Sequence, residues 1–426
     1  MKKFSTLLLG CFCAFALGSL TACSDDDAAV APDGQPDETE LKAVAQQYIS
    51  ATLHPTYALL ADSTAQLFDA LHAIKLKLQS APETLTDAEV ARACDIFLAA
   101  RSNYETSEAF LFGAATDFGI DPHIDTWPLD LQGLAVALNN ATQIGEMDTY
   151  ADGHHGEADY FEGDVYAGNK LGPELLGFHG IEFILFRHGA PRTAADLRST
   201  DRYEGTGLEG KHSVSGVNEV IFATAVAGDL RNKCWQMEVS WNENAPAAHR
   251  AKVEDEMEWP TTVAGSGLSY GQNFLLAGQA GSTYASVRKA VEAILDAGCA
   301  TIADEVGNTK MGKPFTGADR NYIESPYSER SLVDFKDNIA SIENSYFGGR
   351  PNLRNEALSL HAYLARRNAD LDTRVVQAIR SAQQAIAACP APFVLNYSAP
   401  EVETAIAACN ELDNALSEAA RWILLN

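Results

Sequence analysis

The chain has 426 residues, with 58 acidic side chains against 31 lysines and arginines and a formal net charge of −27. That balance argues against a nucleic-acid partner and against adsorption to anionic lipid, and it is compatible with cations or cationic partners. The length suffices for two domains, each with its own core.

Lys2 and Lys3 precede an uncharged run from Phe4 to Cys23, which reads as a secretion leader. Leu20-Thr21-Ala22-Cys23 has the form of a bacterial lipobox, and Ser24-Asp25-Asp26-Asp27 follows at once. Cleavage before Cys23 and lipidation of that cysteine would leave a protein anchored to a membrane rather than spanning it. The expectation is a signal peptide over 1–22 and a lipidated flexible tether over 23–40. The protein is then lipid-anchored in the bacterial cell envelope, at the outer membrane on its periplasmic or surface face.

Leu41 to Leu78 repeats apolar residues at helical spacing and suits one long helix, or two with a bend at Pro55. Thr86-Asp87-Ala88-Glu89 has capping-box spacing and starts a helix predicted to run to about Gly113. Glu105 and Glu108, three apart, share one face of that helix; either can face water or pair with Arg101 one turn away. Asp125, just beyond, can supply a further oxygen. Another helical pattern runs from Trp127 to about Tyr150. The acidic, Gly-rich stretch 152–169, with His154 and His155, reads as a solvated loop.

Leu171 to Gly189 is apolar on almost every side and predicts a buried helix, interrupted after its first turn by His179 and Glu182 alone. A buried carboxylate must be neutralised, paired or bound to a metal. One reading pairs Glu182 with an arginine and makes His179 a satisfied core histidine. The other takes the Glu-x-x-Glu and His-x-x-Glu helices of one bundle as aiming four ligands at a shared point, the way helix bundles hold iron or manganese.

The segment 191–212 is polar, carries Gly205, Gly207 and Gly210, and reads as a linker between a first helical bundle over 41–190 and a second over 213–426. Further helical patterns cover Val214–Glu243, Tyr284–Asp304, Leu332–Phe347, Leu358–Ala388 and Pro400–Leu425. Cys94, Cys234, Cys299, Cys389 and Cys409 remain once Cys23 is lipidated, so at least one is unpaired. Cys389 and Cys409 close two similar AIAAC pieces around a Pro-rich turn, which points to a disulfide across the last hairpin.

Several separated segments carry a family resemblance. Gly177-Phe178-His179-Gly180-Ile181-Glu182 matches a G-x-H-x-x-E signature, and the stretches from Arg101 to Gly113 and from Asp121 to Pro128 follow R-x-x-x-E-x-x-E-x-F-x-F-G and D-P-x-I-D-x-W-P. Glu324-Ser325-Pro326-Tyr327-Ser328, followed by Asp334-Phe335 and Asn338-Ile339, adds another. Together they resemble the imelysin-like proteins, the M75 peptidase family, over nearly the whole mature chain. The resemblance implies an all-α fold of two helical bundles with a functional cleft at their junction. It implies that Arg101, Glu324, Ser325, Tyr327 and Ser328 line that cleft, although Ser328 can instead cap the helix that follows.

The expected function is a metal-binding envelope lipoprotein serving iron uptake, with other iron-uptake components as possible partners. The metal would be a divalent or ferric ion, iron favoured over zinc, on His179, Glu182, Glu105 and Glu108 with Asp125 as an outer member. An M75 metallopeptidase using His179 and Glu182 is the alternative. Zinc peptidases usually place two histidines around the glutamate, and here Phe183 follows Glu182. A non-catalytic module for haem, peptide or polysaccharide is the third reading.

Overall fold

The computed structural model describes residues 38–151 and 160–426. The leader, Cys23, nearly all of the tether, and His154 and His155 lie outside the described residues. Among those described, no helix is long and apolar enough to cross a membrane.

The fold is all-α. Its strands among the described residues are two-residue antiparallel pairings, such as Phe186–Arg187 with Ala190–Pro191 and Thr200–Asp201 with Val214–Ser215. Helix α1 (Glu38–Tyr48) begins just inside the expected tether and passes through a π turn, Ile49–Leu53, into α2 (His54–Ser80). Pro55 sits in the first turn of α2, where its missing N–H removes no helical bond. Thr86 and Glu89 form the expected capping box and start α3 (Asp87–Glu105).

That helix stops eight residues short of the expected Gly113. Thr106 Oγ1 donates back to Ser102 O at 2.8 Å and Ser107 Oγ to Tyr104 O at 2.6 Å. Such hydroxyl bonds compete with the helical ladder. Glu108 therefore lies in a separate 3-10 turn, Glu108–Phe110, rather than on the face of α3.

The motif helix α4 is Gly177–Leu185, every residue buried. Its first residue has φ +66, and a Cβ there would come within 1.8 Å of Ile124 O. Only glycine permits both. The close approach packs the turn Asp121–Ile124 on the start of α4 and sets Asp125 beside His179.

Helix α5 (Gly216–Trp241) is buried along most of its length and runs along α2, with the short helix Gly163–Lys170 and α4 on its flanks. Helix α6 (Ser331–Tyr346) packs on α3 and on α7 (Ala369–Ala388), which pairs with α8 (Pro400–Leu425). A helical run over 287–316 lies against α8 and contains two π stretches, Ile294–Ala300 and Glu305–Met311. The polar segment 191–212 holds the short helix Ala194–Arg198. One apolar core, from Leu41 to Ile423, joins all these helices. Each fully buried leucine or isoleucine in it contributes roughly 1.5–3 kcal/mol.

The expected Cys389–Cys409 disulfide is not formed. Both are free thiols, as are Cys94, Cys234 and Cys299, and all five are buried. Cys389 Sγ donates to Ala385 O at 3.5 Å, closing the end of α7. Burial pushes the thiols up, to about 11 at Cys389 and about 12 at Cys409, so both pack as small neutral apolar groups.

Candidate metal centre

Helices α3, α4 and α6, the run 287–316 and the loop 324–328 meet at a buried polar cluster. Arg101 stands at its middle. Its guanidinium pairs with Asp125 and Glu105, meets Glu324 at 2.5 Å, and lies 3.8 Å from Asp334. Lys310 comes in from the π stretch Glu305–Met311, and its Nζ reaches Glu108 at 3.0 Å, Glu324 at 3.1 Å and Glu105 at 3.6 Å. Asn338 Nδ2 donates to Glu105 Oε2 at 2.6 Å.

On the other side, His179 bridges two carboxylates, with Nε2 at 3.1 Å from Asp125 Oδ1 and Nδ1 at 3.4 Å from Glu182 Oε2. Glu182 Oε1 accepts from Tyr327 N at 3.1 Å, Ser328 N at 2.8 Å and Ser328 Oγ at 2.7 Å. Ser328 thus holds Glu182 and does not cap α6, which has no side-chain cap. Ser325, at φ +47, donates to Asp334 Oδ2 at 2.5 Å. The strain at Ser325 is the cost of turning the loop so that Glu324 points to Arg101 while two peptide N–H groups point to Glu182.

The protonation states follow from burial and neighbours. Burial alone would strip the proton from His179, but Asp125 and Glu182 outweigh it and lift the imidazole to about 9. Burial would raise Asp125, yet Arg101 and His179 hold it below the usual carboxylate range. Burial keeps Glu108 and Glu324 well above that range even though Lys310 opposes it. Asp334 is pushed up to about 7 by burial and by Glu105. For Lys310, burial disfavours the ammonium, and Glu105, Glu108, Glu324 and Glu305 reverse that. The cluster holds more carboxyls than cations and balances by keeping some of them protonated.

Such a centre has room in its charge balance for one more cation. Asp125, His179 and Glu324 each offer a ligand atom, all within 4.8 Å of one another, and Glu105, Glu108, Asp125 and Glu324 form a second such set. Glu324 Oε2 is buried without a hydrogen-bond partner among the described residues. Carboxylate oxygens with one imidazole suit iron, manganese or zinc, and a metal at His179 Nε2 would take the place of a proton.

Sequence reasoning placed Glu105, Glu108, His179 and Glu182 around one point. Glu105 and Glu108 do join Asp125 and Glu324, but Glu182 stands outside both ligand sets, because its Oε1 serves the loop and its charge faces His179. Arg101, Glu324, Ser325, Tyr327 and Ser328 all reach the cluster or its loop, as expected. Lys310, Asp334 and Asn338 had no assigned role. The last two lie in the Asp334-Phe335 and Asn338-Ile339 segment already singled out, which was their signal; Lys310 had none.

Comparison with known proteins agrees with this fold. The family model described as Imelysin, Peptidase_M75, matches residues 53–419. Iron-regulated protein A of Synechococcus elongatus is 25% identical over 373 residues, covering 88% of this chain and 83% of that protein. The crystal structure of a putative iron-regulated protein A precursor from Parabacteroides distasonis superposes with a TM-score of 0.66 at 26% identity, covering 92% of this chain and 96% of that one. An imelysin-like protein from Psychrobacter arcticus shares the fold with a TM-score of 0.54 at 14% identity, over 92% of this chain and 95% of its own. On the family match over most of its length, the chain belongs to the imelysin family, peptidase M75.

Proposed function

We propose that this protein is a cell-envelope lipoprotein, anchored through Cys23, that binds a metal ion at the Asp125, His179 and Glu324 corner of the buried cluster and serves iron uptake. The observation that carries the reading is the convergence of those three buried donors with an unpartnered oxygen on Glu324. The names of the relatives, which speak of regulation by iron, favour iron as the cargo. Arg101 and Lys310 fix the carboxylates in place, and the bound ion would supply the positive charge that protons supply without it. Glu182 is a positioning residue here, holding His179 and the loop 327–328.

The test is metal analysis of protein purified without chelator, followed by calorimetry with ferrous iron and zinc. Wild type should bind one equivalent, and His179→Ala and Glu324→Gln should each weaken it, with the double variant little worse than the poorer single. Equal binding by all three would sink this site. The peptidase reading makes a different demand, cleavage of an unstructured protein that Glu182→Gln abolishes; stoichiometric metal without turnover favours the binding role.

A further inference from the structure

Outside the cluster, an open cleft of about 500 Å³ leads in from solvent to the ring of His179. A volume of that order takes a small organic molecule and far exceeds a bare ion. The local charge is opposite to that of the whole chain. Arg187, His188 and Arg320 line the cleft against one acid, Glu329, in a protein of net charge −27.

The three bases are not equivalent. Arg187 is held, with its Nη2 on Asp201 at 2.5 Å and its guanidinium 3.5 Å over the Phe183 ring. His188 has φ +50, and a Cβ on Gly205 would strike its ring at 2.5 Å, so a strained turn and a close backbone approach fix the imidazole at the rim. Arg320 is exposed and makes no ion pair among the described residues. The remaining wall is largely apolar, with Trp127, Ile323 and the 74% exposed Leu395.

We infer that this cleft binds a small polycarboxylate, and that such a ligand carries a metal to His179 as its chelate. Guanidinium groups recognise carboxylates through paired N–H donors, which gives the anionic arms a place at Arg320 and Arg187. The apolar wall suits a carbon skeleton and leaves inorganic phosphate most of the volume unfilled. An acidic protein repels a negatively charged chelate everywhere except at such a basic mouth. The chelate role rests on the metal reading given above; the anion site does not.

The experiment is calorimetry on the full chain after metal removal, with citrate, inorganic phosphate and ferrous iron titrated separately. Citrate should bind wild type saturably, Arg320→Ala should weaken it about tenfold, as loss of one charge-assisted hydrogen bond does, and Arg320→Glu should abolish it. Arg374→Ala, which removes an exposed pair with Glu418, should leave citrate affinity unchanged and so excludes a bulk charge effect. Absence of citrate binding, or undiminished binding by Arg320→Glu, overturns the inference, and phosphate binding as tight as citrate overturns the organic class. Iron binding without citrate binding sinks the cleft and leaves the metal site. Citrate binding without iron binding supports the cleft and removes the chelate role.

Discussion

Replacing Lys310 by methionine keeps the length of the side chain and removes its charge. Lys310 has no solvent-exposed side-chain surface, and its ammonium serves Glu105, Glu108 and Glu324 together. Breaking a buried ion pair by deleting one partner costs about 3–5 kcal/mol, because the remaining charges stay buried without compensation. For a chain of this size that corresponds to a fall in Tm on the order of 6–10 °C.

Thermal and urea denaturation followed by circular dichroism would measure it, and pH gives a second handle. Burial already raises Glu108 and Glu324, so their contribution to stability is present below their unfolded values and lost as pH rises through the folded ones. Without Lys310 those carboxyls rise further, so the deficit should be larger at pH 8 than at pH 5. Adding Glu108→Gln to Lys310→Met should recover part of it. A Lys310→Met variant within about 0.5 kcal/mol of wild type at pH 8, or a deficit that grows on acidification, would refute the account of Lys310 as the counter-charge.

Gly177→Ala should cost roughly 3 kcal/mol or more, since it meets both a positive φ and the Ile124 carbonyl. By pushing Asp125 off His179 it should also lower the His179 titration from about 9, read by NMR; an unmoved titration would contradict the coupling. Burial lifts Glu219 to about 7 from a usual 4.5 although Arg192 lies 2.9 Å away. Stability should therefore decline as pH rises between those values, and Glu219→Gln should flatten that part of a urea-denaturation series. Cys23→Ala should release protein from the membrane fraction or leave an uncleaved precursor, whereas unchanged fractionation and mass would remove the lipid anchor.

The helical character and the motif helix were legible because both rest on local pattern. The run from Gly177 to Leu185 is apolar enough that His179 and Glu182 stand out, and buried titratable groups demand an explanation wherever they occur. Glu105 and Glu108 were read from spacing alone, and spacing cannot see Thr106 and Ser107 turning their hydroxyls back on α3. Lys310 was hidden for a different reason. A single lysine in Gly-Asn-Thr-Lys-Met reads as solvated, and only the meeting of α3 with the loop at Glu324 buries it. The polar roles of Tyr327 and Ser328 fall mainly to their peptide N–H groups, which no side-chain pattern encodes.

The π stretches in the run 287–316 have a consequence for how this family can change length. A π turn bonds i to i+5 and accommodates one residue more than the α-helix around it. Deleting a residue from Ile294–Ala300 would let that stretch relax to α geometry and turn the following segment by roughly 100° against what precedes it. Lys310 would swing away from the three acids it serves. Substitutions across this run should be common where side chains face water, while insertions and deletions should be rare, because the number of residues, and not only their identity, aims the lysine.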